Sequence, residues 1–135
     1  MARVELENVG LNYHTEAGEV VALRDVNLTV KDQEFVAIVG QSGCGKSTLL
    51  SLVSGLLKPS QGLVTIDGNQ VQGTSKRIGY MLQQDYLFEW RTILDNALLG
   101  LEIAKERTPE AMDAVKEMLK TYGLGGFEHY YPSQL

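Results

Sequence analysis

The spacing of apolar residues changes along the chain near residue 84. Before that point, apolar and polar residues roughly alternate over residues 4–11 and 23–30, which predicts two strands. The segment between them, HTEAGEV, is polar and contains Gly18, so it predicts a turn. The chain is therefore expected to begin with a strand-rich layer.

A continuously apolar run at residues 35–39 has no polar face to present to water. It predicts a strand buried on both sides, as in a parallel sheet. A further strand is predicted at residues 63–66, where Asp67 and Gly68 supply a tight turn. The apolar segment at residues 77–82 predicts another strand.

Helical spacing replaces alternation at the start of the last third of the chain. The apolar residues between 93 and 101 fall on one helical face, and Thr92 with Asp95 is placed to cap the N-terminus of that helix. A second helix is predicted to begin after Thr108 and to end at Gly123. Strands followed by helices predict an α/β protein.

The segment GQSGCGKST matches the phosphate-loop pattern G-x-x-x-x-G-K-[ST]. It follows the predicted buried strand and opens a helix that Gly55 is expected to end, which is the context that this motif requires. Backbone N–H groups would surround a phosphate chain, Lys46 would reach the β and γ phosphates, and the Ser47 hydroxyl would coordinate Mg²⁺. The predicted nucleotide-binding loop consists of Gly40, Gln41, Ser42, Gly43, Cys44, Gly45, Lys46, Ser47 and Thr48.

Cys44 is the only cysteine of the chain, so an internal disulfide is excluded and a reducing cytoplasm is indicated. In the loop it is either a thiol made reactive by the helix terminus and Lys46, or a small residue that fits the turn, which is the favoured interpretation. His14 and His129 lack neighbours at metal-ligand spacing, so neither predicts a metal site.

Bulk composition limits the partners of the protein. The chain has 135 residues and a formal net charge of −5, and its Lys and Arg residues are scattered, which argues against a nucleic-acid surface. Its apolar runs are too short to span a bilayer, and no secretory leader precedes them. A link to a membrane is therefore expected to run through a partner.

The order of the motifs resembles the ATP-binding-cassette ATPase family over the whole chain. A strand-rich segment with Tyr13 precedes the phosphate loop, SGLLKPSQGLVTIDG follows it, and RIGYMLQQ places Gln83 at the end of a predicted strand. The stretch YMLQQDYLFEWRTILDNALLGLEI resembles the branch that serves nitrate, sulfonate and taurine importers. The resemblance implies a phosphate-loop NTPase core with an antiparallel β layer over residues 1–84, and the start of a helical subdomain over residues 85–135.

The same resemblance implies roles for two residues outside the loop. Tyr13 would stack on adenine, with the alternative that it caps the end of a strand. Gln83 would contact Mg²⁺ or the attacking water, with the alternatives that it satisfies loop backbone or that the neighbouring Gln84 takes this place.

The family resemblance also implies partners for a protein that binds ATP and Mg²⁺. These are a membrane-spanning permease, a second copy of the ATPase and, indirectly, an extracytoplasmic solute-binding protein, with the ATPase at the cytoplasmic face of the membrane. The aromatic residues Tyr86, Phe88 and Trp90 would form either the groove for a cytoplasmic helix of the permease or part of the core. Core packing is the commoner fate of such residues.

The residues for ATP hydrolysis are incomplete in this sequence. The family holds Mg²⁺ with an aspartate after an apolar strand, followed by a catalytic glutamate and later a switch histidine, whereas the best match here, LVTID, ends at Asp67 in a predicted turn. The final YPSQL leads, in the family, into the S-G-G motif. We therefore expect a truncated or interrupted product that binds ATP without turnover, exposes apolar side chains, is marginally stable and associates.

Two other interpretations remain open from the residues alone. The chain could be a complete nucleotide-binding module that never hydrolyses ATP. It could also be a small-molecule kinase, which would need a cluster of lid arginines that Arg77, Arg91 and Arg107 do not form in the sequence.

Overall fold

The computed structural model describes residues 3–84 and 86–135 of the chain. It contains two compact units, Met1–Tyr80 and Met81–Leu135. Each unit has its own group of buried apolar side chains, and each is described separately below.

The first unit is built on a four-stranded antiparallel sheet in the order β2-β1-β3-β4. Its strands are β1 (Val4–Thr15), β2 (Gly18–Val30), β3 (Gln61–Ile66) and β4 (Asn69–Gln70), and its helix is α1 (Lys46–Val53). The strands and turns predicted around Gly18 and Asp67 are confirmed, as is the helix that Gly55 terminates with a positive φ of 78°.

A bulge in β1 decides which of its residues face the core. The pairing with β2 shifts register between Leu6 and Val9, and Asn8 has a φ of 50° at that point. The Asn8 side chain donates a hydrogen bond to Asp25 Oδ1 at 2.7 Å, which ties the bulge to β2. Because the extra residue reverses the alternation, Leu6 and Val9 are both buried although they are three positions apart.

The core of the first unit lies between the sheet and α1. The helix contributes Leu49 and Leu52, which are three positions apart and face the same side. The buried residues of this core are Leu6, Val9, Leu11, Leu23, Leu49, Leu52 and Val64.

The two predicted strands at residues 35–39 and 77–82 are wrong, because neither segment is paired in a strand of the described structure. Phe35 and Val39 are 93% and 92% exposed, and Met81 is 94% exposed. A parallel strand exists only when a neighbour accepts and donates its backbone hydrogen bonds. The apolar side chains of these two segments favour burial, but no strand among the described residues is hydrogen-bonded to either segment.

We predict that the isolated 135-residue protein self-associates through this exposed apolar segment, since contiguous apolar patches of this kind drive association. Light scattering after gel filtration should show a mass that rises with concentration. The double substitution Phe35→Lys with Val39→Lys should reduce the rise, and Leu56→Lys, at a half-exposed position in the same unit, should not. A concentration-independent monomer with a sharp cooperative melt would contradict the prediction.

The second unit is helical, with α2 (Ile93–Ala97), α3 (Leu99–Ala104), α4 (Pro109–Thr121) and a 3-10 turn at Pro132–Gln134. The Thr92 and Thr108 hydroxyls accept hydrogen bonds from the backbone N–H groups of Asp95 and Ala111, which confirms both predicted N-caps. The predicted helix at 93–101 is instead divided at Leu98, whose ψ of −8° is too flat to continue an α-helix.

The core of this unit lies between α2 and α4, and Leu101 of α3 is partly buried against it. It consists of Ile93, Leu94, Leu98 and Leu119. The first amides of α2 are satisfied from outside the helix, because Ile93 donates to the Tyr130 carbonyl at 2.8 Å and Leu94 to the Glu128 carbonyl at 3.0 Å. No helix of the described part of the chain is long and apolar enough to cross a bilayer.

Candidate phosphate-binding site

The glycine-rich loop runs directly into the N-terminus of α1. A turn forms where the Cys44 amide donates to the Gln41 carbonyl at 3.3 Å, and the helix starts where the Leu49 amide donates to the Gly45 carbonyl at 2.9 Å. Gly45 occupies the N-cap with a φ of 101° and makes no side-chain capping bond. The first amides of α1 therefore point toward the loop with the positive end of the helix dipole, which favours an anion there.

The Lys46 ammonium group lies inside the curve of this loop. It donates hydrogen bonds to the Gly40 carbonyl at 2.7 Å and the Gln41 carbonyl at 2.5 Å, and it lies 3.5 Å from Cys44 Sγ. A cation and a helix N-terminus thus meet at one place, although the chain as a whole is negative. This arrangement is suited to a polyanion such as a di- or triphosphate.

The thiol of Cys44 fills space within the loop. A Cβ atom added at Gly40 would lie 2.6 Å from Cys44 Sγ, so a larger residue there would require the Cys44 side chain to move. Cys44 itself is exposed. Its Sγ atom lies beside both Gly40 and the Lys46 ammonium group, so these contacts do not distinguish the two interpretations of the sequence.

The loop rests on β2 of the sheet. A Cβ atom added at Gly45 would lie 2.8 Å from Leu23 Cδ2 and 3.0 Å from the Ala22 carbonyl oxygen. Leu23 is buried and pairs with Leu11 of β1. The close contact of Gly45 with β2 therefore fixes the position of the N-terminus of α1, and with it the backbone of Lys46, relative to the sheet.

Tyr13 follows Leu11 by two positions along β1, beyond a shift in the register of β1 and β2 between Leu11 and Asn12. Its partner across the ladder is Val20, and both side chains are partly exposed, with Tyr13 at 40%. Sequence analysis missed Val20. The tight turn that pairs Thr15 with Gly18 sets this register, and counting back from it would have identified Val20 as the neighbour of Tyr13.

The oxygen donors available for a cation in this loop are few. Ser47 is exposed, and no group of three or more His, Cys, Asp or Glu side chains in the described residues is arranged to hold a metal. The Ser47 hydroxyl beside a phosphate chain fits Mg²⁺, since this ion takes few protein ligands and completes its shell with phosphate oxygens and water.

Asp67 is a turn residue, as predicted. It has a φ of 53°, and its Oδ1 accepts a hydrogen bond from the Arg3 amide at 2.9 Å. Its Oδ2 lies 3.7 Å from the Arg77 guanidinium. Both oxygens of the Asp67 carboxylate thus have partners within the first unit, and these contacts stabilise the turn.

The remaining predicted site residues belong to the second unit. Gln83 and Gln84 are both exposed, so their burial does not distinguish them. Tyr86 and Trp90 are 67% and 73% exposed, and core packing, the commoner fate of such residues, is therefore wrong for both. Phe88 is half-buried and contacts Trp90, with the ring centroids 4.7 Å apart.

Known structures and sequences identify the family. The ABC transporter family model matches residues 23–135. The chain belongs to the ABC transporter family. As an ABC protein it superposes on one chain of the dimeric, post-hydrolysis structure of the ATP-binding cassette MJ0796 bound to ADP and Pi, with a TM-score of 0.84 and 36% identity over 98% of this chain and 62% of that one. The α/β phosphate-loop fold with an antiparallel β layer is thereby confirmed.

Several relatives of this ABC protein are named as ABC transporter or import ATP-binding proteins. It is 41% identical over its full length to the uncharacterised ABC transporter ATP-binding protein YtlC of Bacillus subtilis (strain 168), covering 52% of it. It is 40% identical over 90% of its length to the taurine import ATP-binding protein TauB of Pelagibacter ubique (strain HTCC1062), covering 46%. It is 39% identical to the methionine import protein MetN 2 of Enterococcus faecalis (strain ATCC 700802 / V583), covering 41%. The chain thus spans about half the length of these relatives.

Proposed function

We propose that this chain is the ATP-binding part of an ABC importer subunit, which binds Mg²⁺-ATP to energise uptake of a small solute through a membrane partner. The observation that carries the proposal is the Lys46 ammonium group inside the glycine-rich loop, at the N-terminus of α1. The likeness to a cassette bound to ADP and Pi supports it. The names of the taurine and methionine relatives support the direction of transport.

In the proposed complex each part of the loop has a separate task. The backbone N–H groups of residues 40–48 surround the phosphates, and Lys46 exchanges its two carbonyl partners for β and γ phosphate oxygens. Ser47 offers its hydroxyl to Mg²⁺, which when bound neutralises phosphate charge. Tyr13 stacks on adenine, and Val20 supports the ring from the adjacent strand.

The second unit is proposed to communicate with the membrane partner. We place the nucleotide core in residues 1–84 and the start of a helical subdomain in residues 85–135. Gln83 would sense the bound nucleotide and its Mg²⁺. The exposed Tyr86 and Trp90 would contact a cytoplasmic helix of the permease, which keeps the ATPase at the inner face of the membrane.

Two further partners belong to the proposed full-length protein. A second copy would complete the ATP sites, in line with the dimeric state of the MJ0796 cassette. A solute-binding protein would act indirectly by delivering the solute to the permease. The residues that choose the solute would then lie in those partners.

ATP binding by the isolated chain tests the proposal. We expect Lys46→Ala to raise the Kd for Mg²⁺-ATP at least about tenfold, or about 1.4 kcal/mol, because a charge-assisted contact to phosphate is lost. Isothermal titration calorimetry measures the change. The control is Lys58→Ala, which removes an equally charged, exposed side chain outside the loop and should leave the Kd unchanged.

Two results would contradict this expectation. Equal Kd values for wild type and Lys46→Ala would show that the nucleotide does not bind at Lys46. Equal increases in Kd for Lys46→Ala and Lys58→Ala would show that Lys46 acts only through its contribution to the total charge.

A phosphate-release assay on the same samples tests turnover. We expect binding without release above the Lys46→Ala background, because Asp67, the nearest candidate for a second Mg²⁺ carboxylate, is held in a turn by Arg3 and Arg77. Binding without hydrolysis is thus the second candidate function of this chain. Steady release of phosphate by the wild-type chain would exclude it.

A further inference from the structure

The second unit carries an exposed aromatic turn at residues 88–91. The Arg91 amide donates to the Phe88 carbonyl at 3.0 Å and closes the turn. Trp90 is 73% exposed, yet its ring lies 4.7 Å from that of Phe88 at an interplanar angle of 43°. The Trp90 side chain is therefore exposed to solvent while its contact with the Phe88 ring restrains its orientation.

The side chain of Asn96, in α2, supports this turn through four hydrogen bonds. Its Oδ1 accepts from the Phe88 amide at 2.8 Å. Its two Nδ2–H groups are shared among three carbonyl acceptors, those of Phe88 at 3.1 Å, Arg91 at 3.2 Å and Thr92 at 3.0 Å. Both ends of the amide are used, and all four contacts go to backbone between residues 88 and 92.

Arg91 braces the turn from a second direction. Its guanidinium lies 5.8 Å from the centre of the Phe88 ring and donates to Glu102 Oε2 of α3 at 2.8 Å. This bond raises the pKa of Arg91 and lowers the pKa of Glu102. The turn is thus attached to α2 through Asn96 and to α3 through Arg91.

Only an amide of this length satisfies the turn. A carboxylate at position 96 would face three carbonyl oxygens without a proton to share, and an aliphatic side chain would leave one amide and three carbonyls without these partners. The four bonds thus use both the acceptor and the donors that an asparagine side chain combines.

We propose that Asn96 is a positioning residue, which fixes the 88–91 turn so that Trp90 is presented as a preformed contact for the permease helix. The identity of the partner, the permease helix, rests on the proposed function. The positioning of the 88–91 turn by Asn96 is a property of this chain alone. A preformed contact avoids the entropy of ordering the side chain when the partner binds.

Trp90 is the only tryptophan of the chain, so its fluorescence reports the turn directly. In wild type we expect acrylamide to quench Trp90, since the ring is exposed, while its anisotropy decay follows overall tumbling. In Asn96→Asp we expect a new sub-nanosecond decay component, because a side chain that is released from its contacts moves on the ps–ns timescale. Asn69→Asp, which adds the same charge in β4, should not produce it.

The outcome separates positioning from general stability. A new fast component with unchanged helix content by circular dichroism supports the proposal, and an unchanged decay in folded Asn96→Asp overturns it. If Asn96→Asp does not fold, hydrogen exchange of the wild-type Asn96 side-chain amide decides: protection supports the proposal, and exchange at the rate of a free amide overturns it. Neither result depends on ATP binding, so failure here is distinct from failure of the proposed function.

Discussion

Gly62→Ala is expected to lower the free energy of unfolding of the first unit by about 3–5 kcal/mol, in the upper range for single substitutions. Gly62 lies in β3 opposite the bulge of β1 with a φ of 77°. A Cβ atom at this position would overlap the carbonyl oxygens of Glu7 and Asn8, which are backbone atoms and cannot rotate away. The alanine variant must therefore separate β3 from β1 and lose ladder hydrogen bonds.

The matched control for this change is Gly68→Ala. Gly68 has nearly the same φ, 75°, but no atom lies within 4 Å of its added Cβ, so only the backbone conformation opposes the substitution, at about 1–2 kcal/mol. Urea unfolding followed by circular dichroism measures both variants. Equal midpoints for the two would show that close packing at Gly62 has no energetic effect.

Gly55→Ala is the second change with a large expected effect, again about 3 kcal/mol or more. Gly55 follows α1 with a φ of 78°, and an added Cβ would overlap the Gly73 carbonyl and lie 3.0 Å from the Thr74 amide nitrogen. Since α1 carries Lys46 at its other end, displacing its C-terminus should also weaken ATP binding.

Gly123→Ala provides the comparison, because Gly123 follows α4 in the same way with a φ of 81° and open space around its Cβ position. It should cost about 1–2 kcal/mol and leave ATP binding intact. Urea midpoints and calorimetric Kd values for both variants check the prediction. A Gly55→Ala protein that binds ATP like wild type would show that α1 tolerates movement at that end.

The accuracy of sequence-based prediction in this chain depends on whether the signal is local. The turn at Asp67 and Gly68, the N-caps at Thr92 and Thr108, and the helix that begins at the phosphate loop are each set by a few neighbouring residues, and the structure confirms them. Residues 35–39 were predicted as a strand from their apolar character alone. Strand formation needs a neighbouring strand, which is often distant in sequence, and this information is absent from the apolar run itself.

The candidate site shows the same limit. The loop that holds Lys46 was predicted residue by residue, because its chemistry is contained in consecutive positions. Val20 was missed since its place opposite Tyr13 depends on strand register. Asn96 was missed because its four hydrogen bonds reach back to residues 88–92 across a turn that hydrophobic periodicity does not describe.

The two hydrogen bonds from Lys46 to the loop backbone have a consequence for the rate of nucleotide binding. Because its ammonium group bridges the carbonyls of Gly40 and Gln41, the chain's own contacts favour the curved form of the loop. Capture then requires a lysine side chain to swap acceptors, a motion of picoseconds to nanoseconds, and not the folding of a flexible segment. Encounter by diffusion, and not loop closure, would then set the rate at which ATP associates.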